Sequence, residues 1–150
     1  MSLQNKISED IKSALKNQEK LKLSVLRMLQ ASIKNKIIDT GEKELSDEQV
    51  ITVVNSEIKK RRDSVAEFEK VGRGDAASAE KDEIAILMEY MPEQLSEEQI
   101  IKIIEEAIAE LNIESIKDLG KLMKNLMPKI KGKADGNLVN RLVREKLDNP

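Results

Sequence analysis

The side chains best placed to do chemistry in this chain are cationic and crowd its last quarter. Lys121, Lys124, Lys129, Lys131, Lys133, Arg141 and Arg144 fall within a short stretch, with Asn140 among them as a hydrogen-bonding amide. From Lys117 to Lys146 nine Lys or Arg face three acids, a net of +6, whereas residues 1–116 carry 17 against 24, a net of −7. A chain so polarised directs one end at something anionic. Lys117, Lys121, Lys124 and Pro128 step by three or four residues, so the three lysines share a helix face opposite Leu119, Leu122, Met123 and Leu126. The chemistry on offer is phosphate contact. With one Tyr, one Phe and no Trp in the chain, base stacking contributes little, and shape and backbone charge dominate.

The bend Lys129-Ile130-Lys131-Gly132-Lys133-Ala134-Asp135-Gly136 reads in two ways. Three lysines around a glycine that leads into a helix N-terminus suit a phosphate. Alternatively Gly132 only closes one helix and Asp135 or Asn137 caps the next, which is turn chemistry and nothing more. The spacing is not that of a nucleotide-binding P-loop. Asn140 serves equally as an RNA contact or as a stabiliser of its own bundle.

Other chemistry is narrowed by what is missing. There is no Cys and no His. Disulfides, thiolate nucleophiles, imidazole acid–base catalysis and His- or Cys-based zinc sites are thereby excluded. Carboxylates are plentiful but gather at helix starts, where capping explains them. No catalytic residue, no metal ligand and no cofactor is assigned. The run Lys59-Lys60-Arg61-Arg62 spreads around a helix beside Glu57, Asp63 and Glu67, and pairing within the helix is the expectation. Met28, Met88, Met91, Met123 and Met127 read as core filling ahead of a plastic binding surface.

These residues need elements to position them, and the composition points to helices alone. Leu3, Ile7, Ile11 and Ala14 mark a first helix broken at Lys16-Asn17-Gln18; Leu23 to Ile37 mark a second, stopped at Gly41. Leu45-Ser46-Asp47-Glu48-Gln49-Val50 and Leu95-Ser96-Glu97-Glu98-Gln99-Ile100 each read as a capping box with a hydrophobic staple. The helix from Ser46 should end near Gly72. Asp75 is a candidate cap for the next, which reaches Met91. Pro92 makes the best boundary, because it lacks an amide and biases Met91 away from helix. Beyond it lie a helix over 97–111, one that opens near a Ser115/Asp118 box and closes at Gly132, and a last one through Leu147. The expected fold is all-α, an N-terminal domain of about four helices over 1–91 and a three-helix tail over 95–150. No apolar run approaches the roughly 20 residues of a membrane span and no signal-like stretch follows Met1, so a soluble, cytoplasmic protein is expected.

Tyr90-Met91-Pro92-Glu93-Gln94-Leu95-Ser96-Glu97-Glu98, Gly120-Lys121-Leu122-Met123, and Lys131-Gly132-Lys133-Ala134-Asp135-Gly136 with Val139-Asn140-Arg141-Leu142-Val143 resemble the GatB/YqeY family. Lys22-Leu23-Ser24-Val25-Leu26-Arg27-Met28 resembles its stand-alone YqeY members. The likeness departs at Leu119 and Lys124, where the family often has Met and Gly. In larger relatives, the resemblance implies, this module is appended to the B subunit of the tRNA-dependent amidotransferase and its tail contacts tRNA. A similar module precedes some glutaminyl-tRNA synthetases. By the same resemblance, the amidotransferase active site is expected to belong to a separate catalytic domain and not to this module. The expectation is therefore a non-catalytic tRNA-binding accessory module, with RNA contacts at Lys121, Lys124, Lys129, Lys131, Lys133, Asn140, Arg141 and Arg144. Its rivals are a module that docks on an amidotransferase or aminoacyl-tRNA synthetase and, more weakly, a participant in carbon–nitrogen ligase activity.

Overall fold

The computed structural model describes residues 1–148, and the expected all-helical fold is what it contains: seven α-helices and, among the described residues, no strand. Two compact units divide the chain, Met1–Met91 and the remainder from Pro92. The first holds α1 (Leu3–Lys16), α2 (Lys20–Thr40), α3 (Asp47–Lys70) and α4 (Gly74–Met88); the second holds α5 (Glu97–Leu111), α6 (Leu119–Ile130) and α7 (Gly136–Asp148).

The helix starts follow from local hydrogen bonding. At α3 the Ser46 hydroxyl accepts from the Gln49 amide at 3.2 Å, and the Gln49 side chain accepts from the Ser46 amide at 2.9 Å. Ser96 and Gln99 repeat the arrangement at α5, at 3.1 and 2.9 Å. Each box satisfies two of the four orphan amides of its first turn. The stops are equally local. Gly72, at φ 74°, ends α3 in a Schellman turn, with the Arg73 amide donating to Phe68 and the Gly72 amide to Glu69. Gln18 does the same work after α1 at φ 58°, an uncommon place for a side chain.

Three expected boundaries move. Asp75 does not cap α4: the helix begins at Gly74 with Arg73 at the cap, and Asp75 lies in the first turn, where its charge still suits the helix dipole. The helix also stops at Met88 rather than Met91, since the chain must turn out of helix ahead of Pro92. Ser115 and Asp118 form no box. The Ser115 hydroxyl accepts from Lys117, two residues on, which closes a 3-10 turn over Ile116–Asp118, and α6 starts from that turn without a side-chain cap.

In the first unit Ile7, Val25, Leu26, Leu29, Ile33, Val50, Val54, Ile58 and Leu87 make the core, with Tyr90 at its edge. Tyr90 donates its hydroxyl proton to Asp10 while Lys6 lies over its ring. In the second, Ile100, Ile104 and Ala107 of α5 meet Leu122, Leu126 and Ile130 of α6 and Val139, Leu142 and Val143 of α7. Each of these large aliphatic side chains stabilises its unit by about 1.5–3 kcal/mol. Their burial fixes which way the lysines of α6 face.

Candidate nucleic-acid interface

Because Leu122, Leu126 and Ile130 of α6 are buried, the opposite side of the helix is solvated, and Lys121 and Lys124 stand there exposed; Lys117, expected on the same helix face, is exposed too but belongs to the 3-10 turn over Ile116–Asp118 that precedes α6. The α6–α7 turn adds Lys131 and Lys133, both exposed, on either side of a buried Gly132 at φ 78°. Among the described residues none of these five lysines makes an ion pair.

The remaining cations are partly spoken for. Lys129 lies 3.8 Å from Glu110 and donates to Asn125 at 3.2 Å. Arg141 is 3.9 Å from both Glu97 and Glu145, and Lys146 is 3.5 Å from Glu105. So α5 offsets one margin of the basic surface. All these pairs are exposed, so each contributes about 0–1 kcal/mol and weakens with salt. Asn140 accepts from Arg144 Nε at 2.8 Å, which fixes the guanidinium along α7 and leaves the Asn140 amide nitrogen for another partner. The proposed contact residues thus separate by surroundings: Lys121, Lys124, Lys131 and Lys133 stand unpaired, Arg144 is oriented by Asn140, and Lys129 and Arg141 lie against acids.

The two readings of the glycine bend are both addressed by hydrogen bonds. Asp135 caps α7, its carboxylate accepting from Asn137 at 3.1 Å and its carbonyl from Val139 at 3.0 Å. A carboxylate already occupying that helix end disfavours an anion there, so the lysine side chains rather than the α7 amides are the phosphate ligands on offer. What sequence reasoning missed is how the turn is held. Gln94 donates to the Gly132 carbonyl at 2.8 Å and the Leu95 amide to the Lys133 carbonyl at 2.8 Å. The segment that follows Pro92 therefore clasps the turn that carries Lys131 and Lys133. No local pattern reveals a bond across 38 residues.

The first unit contains a polar cluster that sequence reading found only in part. Arg61, 6% exposed, donates through Nη1 to Glu57 at 3.0 Å and through Nε to Glu83 of α4 at 3.3 Å. Glu57 also accepts from Ser32 of α2 at 2.8 Å. Burial works to raise the Glu57 carboxyl, but the bonds from Ser32 and Arg61 and the charge of Lys60 outweigh it and hold it below the usual range. Burial and the neighbouring Glu83 charge push Glu80 up. Ser32, Glu57 and Arg61 have the outline of a nucleophile, base and orienter beside a groove of about 410 Å³. A base held in its charged form by an arginine has little pull on the serine proton, so the arrangement pins α2, α3 and α4 together. Among the described residues no cluster of potential metal ligands occurs, and no helix is long and apolar enough to cross a membrane.

Two capping boxes, seven helices and a clasped lysine turn define a small helical module with one basic face. The chain belongs to the YqeY-like family, whose model matches residues 4–147. Among curated relatives it is similar to the altered inheritance of mitochondria protein 41 of two fungi. With that of Kluyveromyces lactis it is 36% identical over 84 residues, covering 56% of this chain and 45% of that one. With that of Pyrenophora tritici-repentis it is 27% identical over 143 residues, covering 93% and 78%. It is also 40% identical over 85 residues to the E-type subunit of the glutamyl-tRNA(Gln) amidotransferase of Thermococcus sibiricus, covering 53% of this chain but 13% of that protein. The chain therefore corresponds to a part of these relatives, less than half of the first and a small fraction of the last.

Proposed function

We propose that this chain is a non-catalytic accessory module that binds tRNA through the basic face of its second unit. The observation that carries the reading is the set of exposed, unpaired lysines, Lys117 on the 3-10 turn, Lys121 and Lys124 on α6, and Lys131 and Lys133 on the clasped turn. Arg144, oriented by Asn140, extends the set, while Lys129 and Arg141 join once salt or RNA loosens their exposed pairs. The similarity to an amidotransferase component named for glutamyl-tRNA(Gln) supports tRNA as the polyanion. The cytoplasm is the compartment this reading favours, although the fungal relatives are named mitochondrial.

If about four phosphates are neutralised, log K falls with a slope of roughly −3 to −4 per decade of salt. Filter binding of unfractionated tRNA across a salt series measures it. Charge reversal at Lys121, Lys124 and Lys131 together should flatten that slope by about 2 or more. No retention of tRNA at low salt, or retention unchanged in the triple variant, rejects the reading. ATP- and glutamine-dependent amidation of Glu-tRNA by the chain alone would reject its non-catalytic part.

A further inference from the structure

One surface of the first unit is left unexplained by its own packing. Within α2, Val25, Leu26, Leu29 and Ile33 point into the core. The opposite side carries Leu21, Ser24, Met28, Ala31, Asn35 and Ile38, whose spacing of three, four, three, four and three residues is that of a coiled-coil seam. Leu21 is exposed at 47%, Met28 at 52% with its sulfur accepting from Arg61 Nη2 at 3.9 Å, and Ile38 at 76%, and Ala31 and Asn35 are exposed between them. Ser24 and Ala31, both exposed, alternate with the large side chains and leave room for another backbone to come close. The seam runs about 26 Å at 1.5 Å per residue.

The flank of this seam is charged in one sense. Lys20, Arg27 and Lys34 each precede a seam position by one residue, so all three line the same edge. They are exposed, and among the described residues none has an ion pair. α2 as a whole has five basic residues against one acid, Asp39. Its other flank consists of Val25, Ser32 and Asp39, with Val25 buried and Ser32 donating to Glu57. The motif Lys22-Leu23-Ser24-Val25-Leu26-Arg27-Met28 divides along the same line. Val25 and Leu26 are core and Lys22 pairs with Glu89 at 3.7 Å, whereas Ser24 and Arg27 have no partner inside the unit.

We propose that the outward face of α2 is a docking seam for an amphipathic helix of another protein, one that carries acidic side chains along the edge facing Lys20, Arg27 and Lys34. Charge argues against a second copy of this chain. An antiparallel pair would set Arg27 against Arg27 and Lys20 against Lys34, and a parallel pair would offer those cations only Val25, Ser32 and Asp39. RNA is disfavoured as well, because phosphates leave Leu21, Met28 and Ile38 uncovered whereas an apolar helix face buries them. A seam of this length makes a small contact, which suits a reversible complex or one arm of a larger interface. The inference uses other residues and another unit than the tRNA reading, so either stands without the other.

The test uses the full chain and two synthetic three-heptad peptides, both with leucines at the seam, one flanked by glutamates and the other by lysines, with binding followed by fluorescence anisotropy. The acidic peptide should bind more tightly by about tenfold or more, the size expected when three exposed ion pairs replace three repulsions. Arg27→Glu with Lys34→Glu should reverse the order. Ala31→Arg, which obstructs the seam at an exposed helical position, should abolish binding while its circular dichroism melt stays at the parent value. A benzophenone side chain placed at position 38, where a large apolar side chain already stands 76% exposed at the end of the seam, then reports the occupant in cells. A cross-linked segment with apolar heptads and an acidic edge agrees with the proposal. Equal affinity for the two peptides, binding that survives Ala31→Arg, a cross-link to RNA, or a cross-link to the chain itself overturns it.

Discussion

Replacing Arg61 by methionine keeps the stem that leaves α3 towards α2 and α4 and removes only the guanidinium. The parent side chain, 7% exposed, gives Glu57 a bond of 3.0 Å to its carboxylate and one of 3.1 Å to its carbonyl, and gives Glu83 one of 3.3 Å. Removing one member of a buried pair costs about 3–5 kcal/mol, because the partner charge stays behind unpaired. Here Glu57 keeps Ser32, and Lys60 at 3.7 Å, so the low end of that range, about 3 kcal/mol, is expected. Urea unfolding followed by tyrosine emission isolates the effect. Tyr90 is the single Tyr in a chain without Trp, and it belongs to the core of the first unit. In the parent the Glu57 carboxyl is depressed, so its contribution is present above its unfolded pKa and lost as pH falls through the folded one. In Arg61→Met that depression weakens, because two of its causes go while burial stays. Folded Glu57 then binds a proton more readily than in the parent, so the variant loses less on acidification and the deficit shrinks. The double variant Arg61→Met with Glu57→Gln should recover to within about 1 kcal/mol of the parent. A loss below about 1 kcal/mol at neutral pH, or a deficit that stays constant on acidification, would refute the argument.

Glu80→Gln removes a carboxylate that burial and Glu83 push upward. A raised carboxyl contributes stability at low pH that fades as pH rises through its folded pKa, so the variant should gain about 0.5 kcal/mol at neutral pH and nothing in acid, read from the same urea curves. Gln18→Gly relieves a side chain held at φ 58° and should stabilise the first unit by about 1 kcal/mol; a thermal melt at or below the parent would show that the turn carries no strain.

The helices and their ends are legible in the sequence wherever the code is local. Ser46 with Gln49, and Ser96 with Gln99, are readable because donor and acceptor lie three residues apart, and Gly41 because a left-handed stop favours glycine. The same local logic fails at Ser115 and Asp75, where several residues compete to start a helix and packing decides between them. Pairing of Glu57 with Arg61 is visible as a four-residue spacing, but Glu83 reaches Arg61 from another helix and Asp10 reaches Tyr90 across 80 residues. In the basic face, charge density is a property of composition and reads directly. Which lysines lie beside the acids of α5 depends on how the second unit packs. By spacing alone Lys129 and Arg141 are equivalent to Lys121 and Lys124; only the placement of Glu110 and Glu97 separates them.

The bonds from Gln94 and Leu95 to the α6–α7 turn also govern where the chain tolerates being trimmed. A cleavage that removes everything through Met91 leaves both donors attached to the tail. One placed just ahead of Ser96, at the visually obvious start of α5, strips them away and lets the loop around Gly132 fray. The natural point for excision, or for grafting this tail onto a larger enzyme, is thus the proline and not the helix.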